Sequence, residues 1–379
     1  MKRPCIALLL DSGPRNWASQ EETHFALCEK LIAQGIGPVL IYSGKVAENV
    51  FARMKESGAE IVAEARLEGN RRYGAVVASA LREYQVDLIH LRYFDYGGII
   101  PWLVRAVSSR PIIYTDAGGW MPRPRRTYSW KRGLTKVRVK VATRPIKRFV
   151  AISEFVRSRL IGYGIHADRI DVIYNGVNVQ RFAPNPTLRS HWRRQHGIGP
   201  DDIVISTVCR LDPIKDIGTI LRAFADLLKR GVPAHLFIAG TGTIESELRN
   251  LADQLGAAAR VHWLGHMADP CPLFQSSDIF TLASVGEAFG FVLAEAMACG
   301  VACVGSRCGG ITEVIADGRS GVLADPQSPS SFADAYERLA RDAALRNAMG
   351  LEGRNRVDRL FSVEEATQKT IAVYRQFLK

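Results

Sequence analysis

Residues Asp278 to Gly310 read DIFTLASVGEAFGFVLAEAMACGVACVGSRCGG. The run parses as a strand (Ile279–Leu282), a loop (Ala283–Gly290), a helix (Phe291–Cys299) stopped by Gly300, a second strand (Val301–Val304) and a glycine-rich loop. Two carboxylates lie in it eight residues apart, Glu287 in the loop and Glu295 in the helix. Glu295 is the sole charge among Val292, Leu293, Ala294, Ala296, Met297 and Ala298. A helix that is apolar all round is buried, and a buried carboxylate is costly unless something hydrogen-bonds it. A ribose diol offers two O–H donors. The helix N-terminus near Phe291 offers unpaired amides and the positive end of the dipole, which suit phosphate. Sugar hydroxyls, a ribose and a phosphate are the parts of a nucleotide-sugar. A structural ion pair also accounts for Glu295 taken alone, and solvation accounts for Glu287 taken alone.

Outward from this run, strands and amphipathic helices alternate almost throughout, which predicts an α/β protein with parallel sheets. Strands are expected at Ile6–Leu10, Pro38–Tyr42, Leu88–Leu91, Ile112–Tyr114, Phe149–Ile152 and Val172–Tyr174, then at Ile203–Val208, His235–Ala239, Val261–Leu264, Ile279–Leu282, Ala302–Val304 and Val322–Ala324. The helix Ile217–Lys229 has the cleanest period, with Ile217, Ile220, Leu221, Phe224, Leu227 and Leu228 on one face. A chain of 379 residues suggests two domains. The rhythm breaks between Asn175 and Pro200, where the boundary is expected.

The longest apolar run of the N-terminal strand, Cys5–Leu10, is far too short to cross a membrane. Met1-Lys2-Arg3-Pro4 leads straight into it without the apolar core or cleavage site of a signal peptide. Seven cysteines without paired C-x-x-C spacing argue against zinc and for a reduced, cytoplasmic protein. Net charge is +12, and the excess is local. No acid occurs from Ala117 to Ser153, while residues 122–148 carry eleven Arg and Lys, beside Trp120, Tyr128 and Trp130. An acidic partner is expected: an anionic membrane surface at its inner face, a phosphorylated acceptor or nucleic acid. Lys136 to Val141 alternates like a strand, yet Trp130, Leu134, Val137 and Val141 form a longer helical stripe ringed by cations. Such a helix can lie on a bilayer or be an ordinary solvated face.

The E-x-F-G at Glu287–Gly290, followed by Glu295 after seven intervening residues, resembles the E-x7-E motif of the retaining glycosyltransferases of family 4. The stretch VCRLDPIKDIGTILRAF (Val208–Phe224) is similar to that family's strand–RL–x–P–x–K–helix motif. YNGVNVQRFAP (Tyr174–Pro184) resembles its hinge, with Asn178 in place of the usual Asp, and Phe361–Leu378 resembles its returning last helix.

The resemblance implies a GT-B architecture, two Rossmann-like domains with parallel sheets facing across a cleft. The expected divisions are 1–178 with the returning helix 361–379, for the acceptor, and 179–360, for the nucleotide-sugar. It implies that Arg210 and Lys215 grip the leaving diphosphate and that Glu287 lies against the donor sugar. Phe289, Gly290, Phe291 and Val292 offer amides to sugar and diphosphate, and Glu295 takes the ribose. Gly240, in the Ala239–Thr243 turn, is either a second donor contact or only a tight turn. On the acceptor or sugar side the candidates are Gly13, the one glycine after the first strand, and Asp116, which stands where the family often has a histidine and which otherwise caps a loop.

No D-x-D metal motif sits at a strand end, so neither metal nor cofactor is expected. The expected reaction moves a hexose from a UDP- or GDP-sugar, with retention, to a hydroxyl of a cell-envelope glycan or lipid-linked acceptor. The alternative on the same fold is a sugar-phosphate synthase or phosphorylase. Nucleic-acid binding, drawn from charge alone, is disfavoured because carboxylates in a cleft repel a phosphate backbone.

Overall fold

The computed structural model describes residues 3–11, 13, 14, 16–63, 70–94, 98–118, 129–199 and 201–378. The chain divides into two compact units, Met1–Gly176 with Val363–Lys379, and Val177–Ser362. Each is built on one sheet whose ladders are all parallel.

In the first unit the strands are β1 (Cys5–Leu10), β2 (Gly37–Tyr42), β3 (Glu60–Val62), β4 (Leu88–Arg92), β5 (Ile112–Asp116), β6 (Ile146–Ala151) and β7 (Ile170–Val172). Their order is β3-β2-β1-β4-β5-β6-β7. β1 is buried along its whole length, as a parallel strand covered on both faces must be. β3 has no counterpart among the expected strands, because three residues with an exposed Glu60 at the edge carry no legible period. β7 lies earlier than Val172–Tyr174, since its partner β6 ends where Ala151 pairs with Val172. The terminal helix Val363–Arg375 packs on Ser19–Ala33. Tyr374 is fully buried there, its hydroxyl 2.5 Å from His90 Nδ1.

In the second unit the strands are β8 (Ile203–Val208), β9 (Ala234–Ala239), β10 (Val261–Gly265), β11 (Ile279–Leu282), β12 (Ala302–Ser306) and β13 (Gly321–Ala324), ordered β10-β9-β8-β11-β12-β13. The helix Ile217–Lys229 forms as expected and buries Ile217, Ile220, Leu221, Phe224 and Leu227 in the main core. The helix Pro186–Gln195 is held to the sheet by Asp278, which receives Arg189 at 2.6 Å and Arg193 at 2.9 Å. Asp278 is nearly buried. Desolvation alone would raise its pKa, but the two guanidiniums and the Val204 amide outweigh it and hold the carboxyl below its ordinary value. Removing one partner from a buried pair of this kind costs about 3–5 kcal/mol.

Order in each sheet reverses once, between β1 and β4 and between β8 and β11. Ligands of open α/β sheets bind beyond the carboxyl ends of the strands that flank such a reversal. In the second unit those ends are Val208, which leads into Arg210 and Lys215, and Leu282, which leads into Glu287.

Candidate active site

The loop after β8 carries Leu211, the short turn Pro213–Lys215, and then the helix at Ile217. The loop after β11 runs from Ala283 to Gly290. The two are tied by the Val285 amide, which donates to the Ile214 carbonyl at 2.9 Å. Lys215 Nζ then reaches Glu287 Oε2 at 2.6 Å, with both side chains 19% exposed. Ser284 Oγ lies 3.5 Å from the same carboxylate oxygen. The pair is neutral as a unit and sits at the mouth of the reversal. Cys209, half-buried beside this loop, has its thiol pushed up to about 11 by desolvation, which keeps it protonated at neutral pH.

Arg210 stands apart. Its side chain is 77% exposed and pairs with Asp212 at 3.0 Å. Of the two cations expected at this loop, only Lys215 meets Glu287.

The Glu287 loop is clamped from beneath by the turn after β12. Ser306 and Cys308 both donate to the Ser284 carbonyl, at 2.5 and 2.9 Å, and the Gly310 amide donates to the Glu287 carbonyl at 2.9 Å. A Cβ on Gly309 would stand 2.2 Å from the Glu287 carbonyl oxygen and one on Gly310 2.3 Å from that of Ala288. Gly309 also has φ +50, so glycine is required there twice over. The sequence reading did not assign this support, and its only signal was the glycine pair after a strand.

Gly290 caps the helix Phe291–Ala298 with φ +99. The first amides of that helix have no partner within it. Phe289 is a core residue, 1% exposed and edge-on to Phe291 and Phe361, so its side chain serves packing. Phe291 and Val292 are half-buried, and Glu295 is buried at 7% exposure. Gly240 has a structural reason to be glycine. Its Cβ would fall 1.8 Å from the Cys209 carbonyl oxygen, where the turn after β9 packs on the loop that carries Lys215.

In the first unit Gly13 is likewise a close-approach position, since a Cβ there would meet the Lys45 carbonyl oxygen at 2.1 Å. Asp116 closes β5 at 3% exposure. Its Oδ1 accepts from the Gly118 amide at 2.7 Å, the loop cap, while Oδ2 has no partner. Burial raises its pKa. Among the described residues no three His, Cys, Asp or Glu side chains gather as a metal site, and all seven cysteines are free.

Of the basic segment, residues 119–128 lie outside the described residues, with Trp120, Arg123, Arg125, Arg126 and Tyr128. The remainder resolves the strand-or-helix alternative: Ser129–Ala142 is a helix. Val139 and Ala142 face inward, while Val137 and Val141 are 61% and 57% exposed between Lys136, Arg138 and Lys140. Exposed Trp102 reaches the Val141 carbonyl at 3.0 Å, which joins the helix Ile100–Val107 to this apolar stripe. Arg148 belongs elsewhere, paired to Asp171 at 2.7 Å. No helix among the described residues is long and apolar enough to cross a membrane.

Comparison with known proteins agrees with this architecture. The family profile "Glycosyl transferases group 1" matches residues 189–356 and "Glycosyltransferase Family 4" matches 21–181. An uncharacterized glycosyltransferase of Methanocaldococcus jannaschii is 33% identical over 55% of this chain and 54% of its own length. A D-inositol 3-phosphate glycosyltransferase of Corynebacterium jeikeium is 31% identical over 73% of this chain and 70% of its own. A crystal structure of Anabaena HepE in complex with UDP superposes with a TM-score of 0.81 at 21% identity, covering 98% of this chain and 99% of that one. Two Rossmann-like parallel sheets, the matching profiles and these relatives lead to one conclusion: the chain belongs to the group 1 glycosyltransferases, of the family 4 type and GT-B fold.

Proposed function

We propose that this glycosyltransferase moves a hexose from a nucleotide-diphosphate sugar, a UDP- or GDP-sugar, to an acceptor hydroxyl with retention of anomeric configuration and without a metal. The observation that carries the reading is the Lys215–Glu287 pair, in the loops that follow β8 and β11, with the helix Phe291–Ala298 starting four residues after Glu287. The bond from the anomeric carbon to the diphosphate oxygen breaks, and the acceptor oxygen bonds to the same face. The acceptor proton leaves with the diphosphate. Charge develops on the leaving oxygens, so cations at Lys215 and Arg210 are most effective in the transition state. In this reading Glu287 accepts from donor-sugar hydroxyls, and Glu295 from the ribose diol. The binding of UDP by Anabaena HepE is consistent with such a donor.

A thermal-shift comparison of UDP, GDP and ADP tests the donor. A nucleotide at a hundredfold excess over its Kd stabilises the folded state by about 2.7 kcal/mol. UDP or GDP is expected to raise the melting temperature, and the donor assignment falls if neither does.

The acceptor is a cell-envelope glycan or a lipid-linked sugar at the inner face of the membrane. The exposed Val137–Val141 stripe among cations, extended by Trp102, supports this, because a basic amphipathic helix with apolar anchors suits an anionic bilayer. Vesicles containing anionic lipid should bind the protein at low salt and release it as salt rises, each cation contributing about 1 kcal/mol. The double reversal Lys136→Glu, Lys140→Glu is expected to weaken vesicle binding while leaving the UDP or GDP shift intact. Sedimentation with vesicles reads the first and thermal shift the second, and a wild type that ignores anionic vesicles at low salt would sink the membrane assignment.

A further inference from the structure

One chain of hydrogen bonds threads the three loops that follow β8, β11 and β12. It begins at the end of β12, where Ser306 is fully buried, and in the turn beyond, where Cys308 is half-buried. Both side chains donate to the Ser284 carbonyl, at 2.5 and 2.9 Å, and so occupy its two lone pairs. That carbonyl shares a peptide unit with the Val285 amide, which donates to the Ile214 carbonyl at 2.9 Å. The Ile214 carbonyl in turn shares a peptide unit with the Lys215 amide, which donates to the Asp212 carbonyl at 2.9 Å.

Every donor in this chain points the same way, from the turn after β12 toward the loop after β8. Bonds aligned in series polarise and strengthen one another. Peptides 284–285 and 214–215 are each held at both the oxygen and the N–H, so neither turns without breaking a bond. The first lies two residues before Glu287, and the second carries the amide of Lys215 itself. The same turn fixes the Glu287 carbonyl through the Gly310 amide at 2.9 Å. Desolvation raises the pKa of the Cys308 thiol, so it keeps its proton at neutral pH and can donate. An S–H is a weak donor, which makes Ser306 the stronger of the two anchors.

We propose that Ser306 and Cys308 are positioning residues for glycosyl transfer: through peptides 284–285 and 214–215 they set the separation and aim of Lys215 and Glu287. The inference rests on the reading of Lys215 and Glu287 as donor groups, but the chain of bonds is tested without it. In Ser306→Ala the Cys308 thiol still caps the Ser284 carbonyl, so the variant is expected to fold. Its Val285 and Lys215 amides are expected to exchange hydrogen about fivefold faster or more, the factor for one net hydrogen bond. Amides inside β8 should keep their wild-type rates. Unchanged exchange at Val285 and Lys215 would overturn the proposal.

Turnover is read as release of UDP or GDP from UDP-glucose or GDP-glucose with water as acceptor, using the nucleotide that stabilises the protein. Ser306→Ala is expected to lower kcat about tenfold or more, since a misplacement of ~1 Å can cost about a hundredfold. In a Lys215→Ala background the same substitution is expected to cost little, because residues that act through one another are not additive. Cys308→Ser in the Ser306→Ala background supplies an O–H donor and is expected to recover turnover. Losses that add in full, or no recovery with Cys308→Ser, would mean that the turn only packs, and would overturn the positioning role. A Lys215→Ala enzyme with wild-type turnover would instead defeat the donor reading, and the exchange rates would still decide on the chain of bonds.

Discussion

Lys215→Ala and Arg210→Ala are each expected to lower turnover about a hundredfold or more, the loss found when one preorganised electrostatic contact to a developing anion is removed. The two residues start from different places. Lys215 is already fixed, 2.6 Å from Glu287, in a loop held by the Val285–Ile214 bond. Its loss removes a positioned charge and leaves the Glu287 carboxylate without its cation. Arg210 is 77% exposed and paired with Asp212, so it must exchange Asp212 for the diphosphate on binding. The Lys215 variant should therefore lose kcat and also some thermal stability, because Glu287 is left largely buried without its cation, and the Arg210 variant should lose both kcat and donor affinity. Steady-state kinetics with a UDP- or GDP-sugar separate the two patterns. Near-normal turnover in either variant removes that residue from the reaction.

Glu295→Ala is expected to weaken nucleotide binding by about 1.5–3 kcal/mol, the worth of hydrogen bonds to a charged acceptor, or about 10- to 150-fold in Kd. The carboxylate is 7% exposed on a helix whose other residues from Leu293 to Ala298 are all buried and uncharged, and the substitution suits a helix. Calorimetric titration with UDP or GDP reads the change. If affinity holds and only the melting temperature moves, Glu295 serves the fold of the second unit.

Much of the architecture was legible because burial periodicity is written locally. A strand covered on both faces is a short apolar run, such as CIALLL or AHLFIA, and a helix on one face shows a stripe, such as Ile217 to Leu227. The parallel α/β class follows from their alternation. β3 escaped because an edge strand of three residues, one exposed and two half-buried, has no such stripe. The basic segment was ambiguous because Lys136–Val141 fits both periods over six residues, and only the longer span decided for the helix.

The candidate site was legible as types of residue, not as partners. Glu287, Glu295, Arg210 and Lys215 stood out as charges at strand ends or in apolar surroundings. Their mutual distances did not, since Lys215 and Glu287 are 72 residues apart and meet only because β8 and β11 are neighbours in the sheet. The same holds for Ser306 and Cys308, which read as ordinary residues of a strand end and turn until the Ser284 carbonyl comes to lie against them. By itself the sequence determined which segments are strands and helices, which faces are apolar, and where charges interrupt them. The tertiary structure alone decided which charges are paired and which backbone groups hold them in place. The reason is physical: period and propensity act over a few residues, whereas the partner of a buried charge is set by strand order and by helices brought together from distant parts of the chain.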